Sequence, residues 1–187
     1  MVLKKVNAVT GLLSIAFMLV HAGYGIFSFL TFYYNPTLQM ALAVPFMVLA
    51  CVHAVLGMTS VFLQGDGVRA DLYPGLNVRT VLQRVSAALI LPLLILHINT
   101  YGLLAASAEN GWTAAIVALL GAEILFFACI FTHIAVSLTK GRITLGVLSS
   151  RETQDKIDRV LYVLGAVLFC VGVYAVVGGQ ATMFLAG

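Results

Sequence analysis

The sequence predicts an all-α integral membrane protein. It reads as one domain over residues 1–187, a bundle of five transmembrane helices with its N-terminus in the cytoplasm. Three observations predict this. Of the 187 residues, 61% are hydrophobic and only 9% are charged, whereas a soluble surface needs about a quarter charged residues. Five apolar segments, roughly 6–31, 39–63, 82–105, 113–138 and 160–185, are each long enough to cross a hydrocarbon core of about 30 Å. And a five-helix topology gathers all 10 Lys and Arg residues on one side. The positive-inside rule makes that side cytoplasmic.

The elements follow in order. Segment one comes after Lys4-Lys5. It is too long for the core of a cleaved signal peptide and carries His21, so it reads as a retained helix. The connection to segment two, Thr31 to Gln39, has no base. Segment two contains Pro45 and segment three Pro92, which neighbouring helices in lipid can tolerate. The connection between them carries Arg69 and Arg79 and the turn signals Gln64-Gly-Asp-Gly and Tyr73-Pro-Gly. Segment three starts at Gln83-Arg84 and is followed by a short connection with Glu109 and no base. Segment four leads to Lys140-Gly-Arg, read as a turn, and then to Ser149-Ser-Arg-Glu-Thr-Gln-Asp, read as the polar start of a helix. In lipid a backbone must satisfy its own hydrogen bonds, so all five segments are helices rather than open strands.

Several function classes are excluded. A net charge of +3 without a basic, aromatic-interleaved patch does not suit nucleic acid. Cys51, Cys129 and Cys170 are far apart, with no zinc or redox spacing, and read as buried thiols. No Rossmann or P-loop fingerprint and no soluble catalytic domain is present, so soluble chemistry must come from a partner.

The informative residues are four histidines, one in each of the first four segments and none in a loop: His21, His53, His97 and His133. Ionisable residues at membrane depth are functional candidates by default. His21 lies 16 residues past Lys5 and His97 13 past Arg84, about 24 and 20 Å from the basic side at the helical rise. His53 lies 11 residues before Gln64 and His133 7 before Lys140, about 16 and 10 Å from the same side. The four rings therefore sort into an outer pair, His21 and His97, and an inner pair, His53 and His133. Two histidines on facing helices at one height are what a six-coordinate haem requires. Gly25, Gly57 and Ser137 follow His21, His53 and His133 by four residues, leaving a small residue one turn away on the ligand's own face. His97 has Tyr101 there. Two rival readings remain. A four-histidine zinc site needs all four rings together, against the depth sorting. A proton relay needs acids between the rings, and Glu123 is the one acid inside an apolar segment.

These residues resemble the single-subunit, five-helix, di-haem cytochrome b anchor of succinate dehydrogenases and fumarate reductases. The resemblance spans essentially the whole chain. Its strongest piece is LQRVSAALILPLLILH at 82–97, with HAVLG at 53–57, the Lys-Lys, Gly, His21 order in segment one, and GRITLGVLSSRETQDKIDR after His133. Departures are Ser137 and Ala87, where the family often has glycine, and Glu123, which lies farther from His133 than the family's proton-coupling glutamate.

The resemblance implies two haems b, His53 and His133 holding the proximal one and His21 and His97 the distal one. It implies a flavoprotein and an iron–sulfur subunit on the cytoplasmic face of the inner membrane, and a quinone, expected to be menaquinone, near the outer haem. Tyr24, Asn99, Thr100 and Tyr101 are the candidate quinone residues. Arg84 is placed either to pair a haem propionate or to anchor at the headgroups. Glu123 reads as a protonated acid bonded to a neighbouring helix, a proton relay or a quinone contact. The chain would be a non-flavin subunit of the enzyme, with no dicarboxylate site of its own. Anchors of other quinone-linked reductases, hydrogenases or dehydrogenases, and a haem-free transporter, are the alternative classes.

Overall fold

A run of apolar residues in lipid leaves helix as the only local solution, and helix is what the chain forms. The computed structural model describes residues 2–64, 74–147 and 150–185. They form α1 (Val2–Thr31), α2 (Pro36–Gln64), α3 (Pro74–Glu109), α4 (Thr113–Thr144) and α5 (Arg151–Gly172), then a π-helical turn (Val173–Val177) and α6 (Gly178–Leu185). The last three are consecutive and form the fifth of five spans long and apolar enough to cross a membrane. Among the described residues there is no strand.

Four helix ends have a clear chemical reason. Asn35 caps α2 by accepting the Leu38 N–H at 3.1 Å, with Pro36 at the first helical position. Ser150 caps α5 by accepting the Thr153 N–H at 3.2 Å. Helices α3 and α4 both end in Schellman turns. Trp112 N–H reaches Ser107 O and Val147 N–H reaches Arg142 O, across Gly111 and Gly146 at φ of +69° and +73°. A side chain at either glycine would be strained.

The helices outrun the apolar segments. Helix α3 starts ahead of Gln83-Arg84, at Pro74. Helix α4 runs straight through Lys140-Gly-Arg to Thr144, so that stretch is a helical turn and not a loop. Helix α5 starts at Arg151, ahead of residue 160. Hydropathy marks the apolar stretch, whereas backbone hydrogen bonding continues past it into the polar flanks. Gly65-Asp-Gly67, Arg69, Tyr73 and Ser149 lie outside the described residues.

Packing follows the order α2–α1–α4–α3, with α5 against α4 and α6 against α3 and α4. The closest pairs are α1 with α2 and α3 with α4. The buried apolar core is small, Leu104, Ile116, Leu120 and Val177 with Phe127, Val173 and Phe184 around it. Large apolar side chains such as Val20, Val55, Ile95, Val117 and Val163 point outward. Small hydroxyls, Ser14, Ser28, Ser60, Ser86 and Ser107, are buried instead, the pattern of helices packed in lipid.

Candidate functional site

The inner pair meets. His53 on α2 and His133 on α4 meet edge to face, with ring centroids 6.2 Å apart and planes at 73°. Each ring is held by its Nδ1. His53 Nδ1–H donates to Asn7 O on α1 at 3.0 Å, and His133 Nδ1–H donates to Gln83 O on α3 at 3.1 Å. A carbonyl only accepts, so the proton sits on Nδ1 and the Nε2 lone pair is available to a metal. A backbone acceptor behind each imidazole is the usual support for a metal-ligating histidine. Two imidazoles bound to opposite sides of one metal, each nitrogen about 2 Å away, place their centroids roughly 6 Å apart. The observed centroid spacing matches that distance.

The residues around this pair are small. Gly11 on α1 lies against His53, and a Cβ there would fall 2.9 Å from its Cε1. Gly57 lies one turn along from His53. Ser86 Oγ is 3.4 Å from His133 Nδ1 and hydrogen-bonds back to Leu82 O at 2.6 Å. Ser137 Oγ lies 3.5 Å from His133 Nε2. The Gln83 side chain accepts from Lys140 Nζ at 2.9 Å, tying the start of the apolar part of α3 to α4.

The outer pair is built differently. His21 on α1 stacks on Phe46 of α2, centroids 6.1 Å apart, and its buried Nδ1 has no hydrogen-bond partner among the described residues. His97 on α3 stacks on Phe126 of α4 at 4.9 Å, with Phe127 edge-on at 6.2 Å. Each of the two rings rests on a phenylalanine. His97 Nδ1 is 2.8 Å from Glu123 Oε2. Glu123, 1% exposed, is also bonded through Oε1 to Thr100 Oγ1 at 2.7 Å.

The remaining candidates spread out. Thr100 is buried against Glu123, whereas Asn99 and Tyr101 are exposed on other faces of α3, as three consecutive helical positions must be. Asn99 Nδ2 donates to Ile95 O, and Tyr101 packs edge-on against Phe184. The Tyr24 hydroxyl accepts from Asn35 N at 2.8 Å and so braces the α1–α2 connection. Arg84 is half-buried on α3, one residue past the Gln83 that holds His133. Among the described residues no group of three or more His, Cys, Asp or Glu converges on one point.

Asp158 escaped the sequence reading, which treated its surroundings as a polar helix start. It is 3% exposed. It pairs with Arg79 of α3 at 3.0 Å and Arg142 of α4 at 2.9 Å, and accepts a short hydrogen bond from Thr139. The signal that points to it is an acid spaced i+3 from Asp155 and beside Arg159, within reach of an otherwise basic cluster. Its role is to clamp α3, α4 and α5 at the end of the bundle nearest the inner histidines. No protein-family description, curated protein or solved structure matches this chain.

Proposed function

We propose that this chain is the haem b-carrying membrane anchor of a succinate:quinone oxidoreductase or quinol:fumarate reductase. The observation that carries the haem assignment is the inner pair: two imidazoles from α2 and α4, 6.2 Å apart, each with Nδ1 bonded to a backbone carbonyl. His53 and His133 would hold the proximal haem and His21 and His97 the distal one. When bound, the two groups supply one-electron carriers at two heights in the bilayer. The choice of enzyme rests on the resemblance of the ordered motifs, LQRVSAALILPLLILH foremost.

The chain's own residues then have distinct tasks. Asn7 O and Gln83 O fix the inner imidazoles in the tautomer that offers Nε2. Lys140 and the Asp158 clamp hold the inner ends of α3, α4 and α5 in register. The basic end, with Lys4, Lys5, Arg84, Lys140 and Lys156, lies in the cytoplasm by the positive-inside rule and offers a docking face to the iron–sulfur subunit, which a flavoprotein follows. A quinone, menaquinone in this reading, exchanges electrons at the outer pair. Dicarboxylate chemistry belongs to the flavoprotein.

The test is the absorption spectrum of the protein purified in detergent together with its haem content. Two low-spin haems b per chain are expected. His97→Ala and His21→Ala should each remove the outer haem and spare the inner; His53→Ala and His133→Ala should do the reverse. Protein without haem, or any of these variants with both haems retained, overturns the assignment. Affinity purification of the tagged chain from its native membrane, with mass spectrometry of what accompanies it, tests the partners. A hydrogenase or other dehydrogenase in place of the flavoprotein and iron–sulfur pair would replace the enzyme assignment and keep the haems.

A further inference from the structure

Taking His97 as an axial ligand, as proposed above, we infer that Glu123 is its positioning residue: a carboxyl on α4 that fixes the tautomer, rotation and basicity of an imidazole on α3. The two inner imidazoles lean on backbone carbonyls, which any sequence supplies. His97 leans on a side chain. Glu123 Oε2 lies 2.8 Å from His97 Nδ1, which places the ring's other nitrogen, Nε2, away from the carboxyl. Phe126 stacks on the ring and Phe127 meets it edge-on, so the imidazole is restrained in tilt as well as in rotation.

The carboxyl is itself held. It is 1% exposed, and Thr100 Oγ1, 2.7 Å from Oε1, also lies 2.9 Å from Leu96 O. The hydroxyl can donate to an ionised Oε1, or donate to Leu96 O while accepting from a protonated one. In both arrangements Oε2 remains an acceptor for His97 Nδ1–H. The lone pair then stays on Nε2, the nitrogen a metal would take. A carboxyl acceptor behind a ligand imidazole raises its basicity, and removing such a partner typically costs about 10–100-fold in affinity. A burial cost accompanies this device. A polar group placed at membrane depth with two good hydrogen bonds is satisfied, whereas the same group beside an apolar position 97 would have lost its main partner.

The experiment compares Glu123→Gln and Glu123→Leu with the wild-type protein in detergent, reading haem content, spectrum and the midpoint potential of each haem. Gln keeps a carbonyl acceptor for Nδ1–H and an amide for Thr100, so it should retain two haems. Leu removes the acceptor. The outer haem, identified as the one lost in His97→Ala, should then bind about 10–100-fold more weakly. In the fraction that retains it, the potential should rise by the equivalent of a tenfold change in the oxidised-to-reduced balance, about 59 mV for one electron. The inner haem should not move. Thr100→Val, which frees the carboxyl to rotate, should fall between Gln and Leu. Wild-type occupancy and potential in Glu123→Leu, or a Gln variant as impaired as Leu, overturns the positioning role. The haem reading fails separately, by wild-type protein with no haem or by a His97→Ala protein that keeps both.

Discussion

Gly11→Ala tests whether the inner site is as tightly built as it looks. The added Cβ would lie 2.9 Å from His53 Cε1, 3.0 Å from Nδ1 and 3.6 Å from Nε2. Carbon atoms rest at about 3.5–4.0 Å, so the imidazole must retreat by roughly 0.6–1 Å or α1 must move away from α2. The ring cannot retreat freely, because its Nδ1 is held 3.0 Å from Asn7 O on that same helix. Stretching this bond forfeits about 0.5–1.5 kcal/mol, and twisting the side chain off its rotamer costs about 0.5–1.5 kcal/mol. Together they come to about 1–3 kcal/mol, which is also the usual cost of overpacking. At 1.4 kcal/mol per decade, the haem proposed for the inner pair should bind about 5- to 150-fold more weakly. The assay is haem content and reduced-minus-oxidised spectra during dilution into detergent without added haem. His53→Ala marks complete loss. Gly23→Ala, where a Cβ meets nothing within 4 Å, serves as the control. A Gly11→Ala protein with wild-type inner-haem retention and spectrum would refute the reasoning.

The remaining predictions concern the frame. Asp158→Ala removes the anion shared by Arg79, Arg142 and Thr139 and leaves Arg142, only 14% exposed, without its carboxylate. Breaking a buried charge pair costs about 3–5 kcal/mol, and the 43% exposure of Arg79 lowers the expectation to about 2–3 kcal/mol. Thermal unfolding in detergent should shift down clearly, with Asp158→Asn recovering part through the Thr139 bond; an unchanged midpoint for Asp158→Ala contradicts the clamp. Gly179→Ala places a Cβ 2.6 Å from Phe29 Cδ1 and 3.4 Å from Phe29 Cβ. The second contact means the clash is not relieved by moving the ring tip alone. A loss of about 1–3 kcal/mol is expected, read in the same unfolding assay, and wild-type stability there would show that Phe29 does not close in on Gly179.

Much of the frame is legible in the sequence because lipid leaves so few alternatives. An apolar run can only be a helix, so five runs give five spans. The ends are less legible. Lys140-Gly-Arg looks like a turn, yet Gly146 is the residue whose backbone closes the helix. The left-handed conformation at Gly146 distinguishes it from Gly141, and composition does not. Counting along helices brings His53 and His133 to one height. What counting cannot supply is rotation about each helix axis, and side-chain partnership depends on it. Glu123 and His97 are 26 residues apart on antiparallel neighbours, and no periodicity links them. Rotation also disperses Asn99, Thr100 and Tyr101, three neighbours in sequence that point three ways. Asp158 was obscured for the opposite reason. It sits in a stretch polar enough to look solvated, and only the convergence of two arginines from other helices buries it.

The closest packing in the bundle divides it into two hairpins, α1 with α2 and α3 with α4, joined mainly where α1 meets α4. Each histidine pair draws one ring from either side of that seam: His53 and His21 from the first hairpin, His133 and His97 from the second. On the proposed assignment, a haem held by both members of a pair would be a rivet between two halves that each pack closely within themselves. Loss of that haem would then be expected to loosen the α1–α4 seam before either hairpin, because the packing within each hairpin is closer than the packing between them.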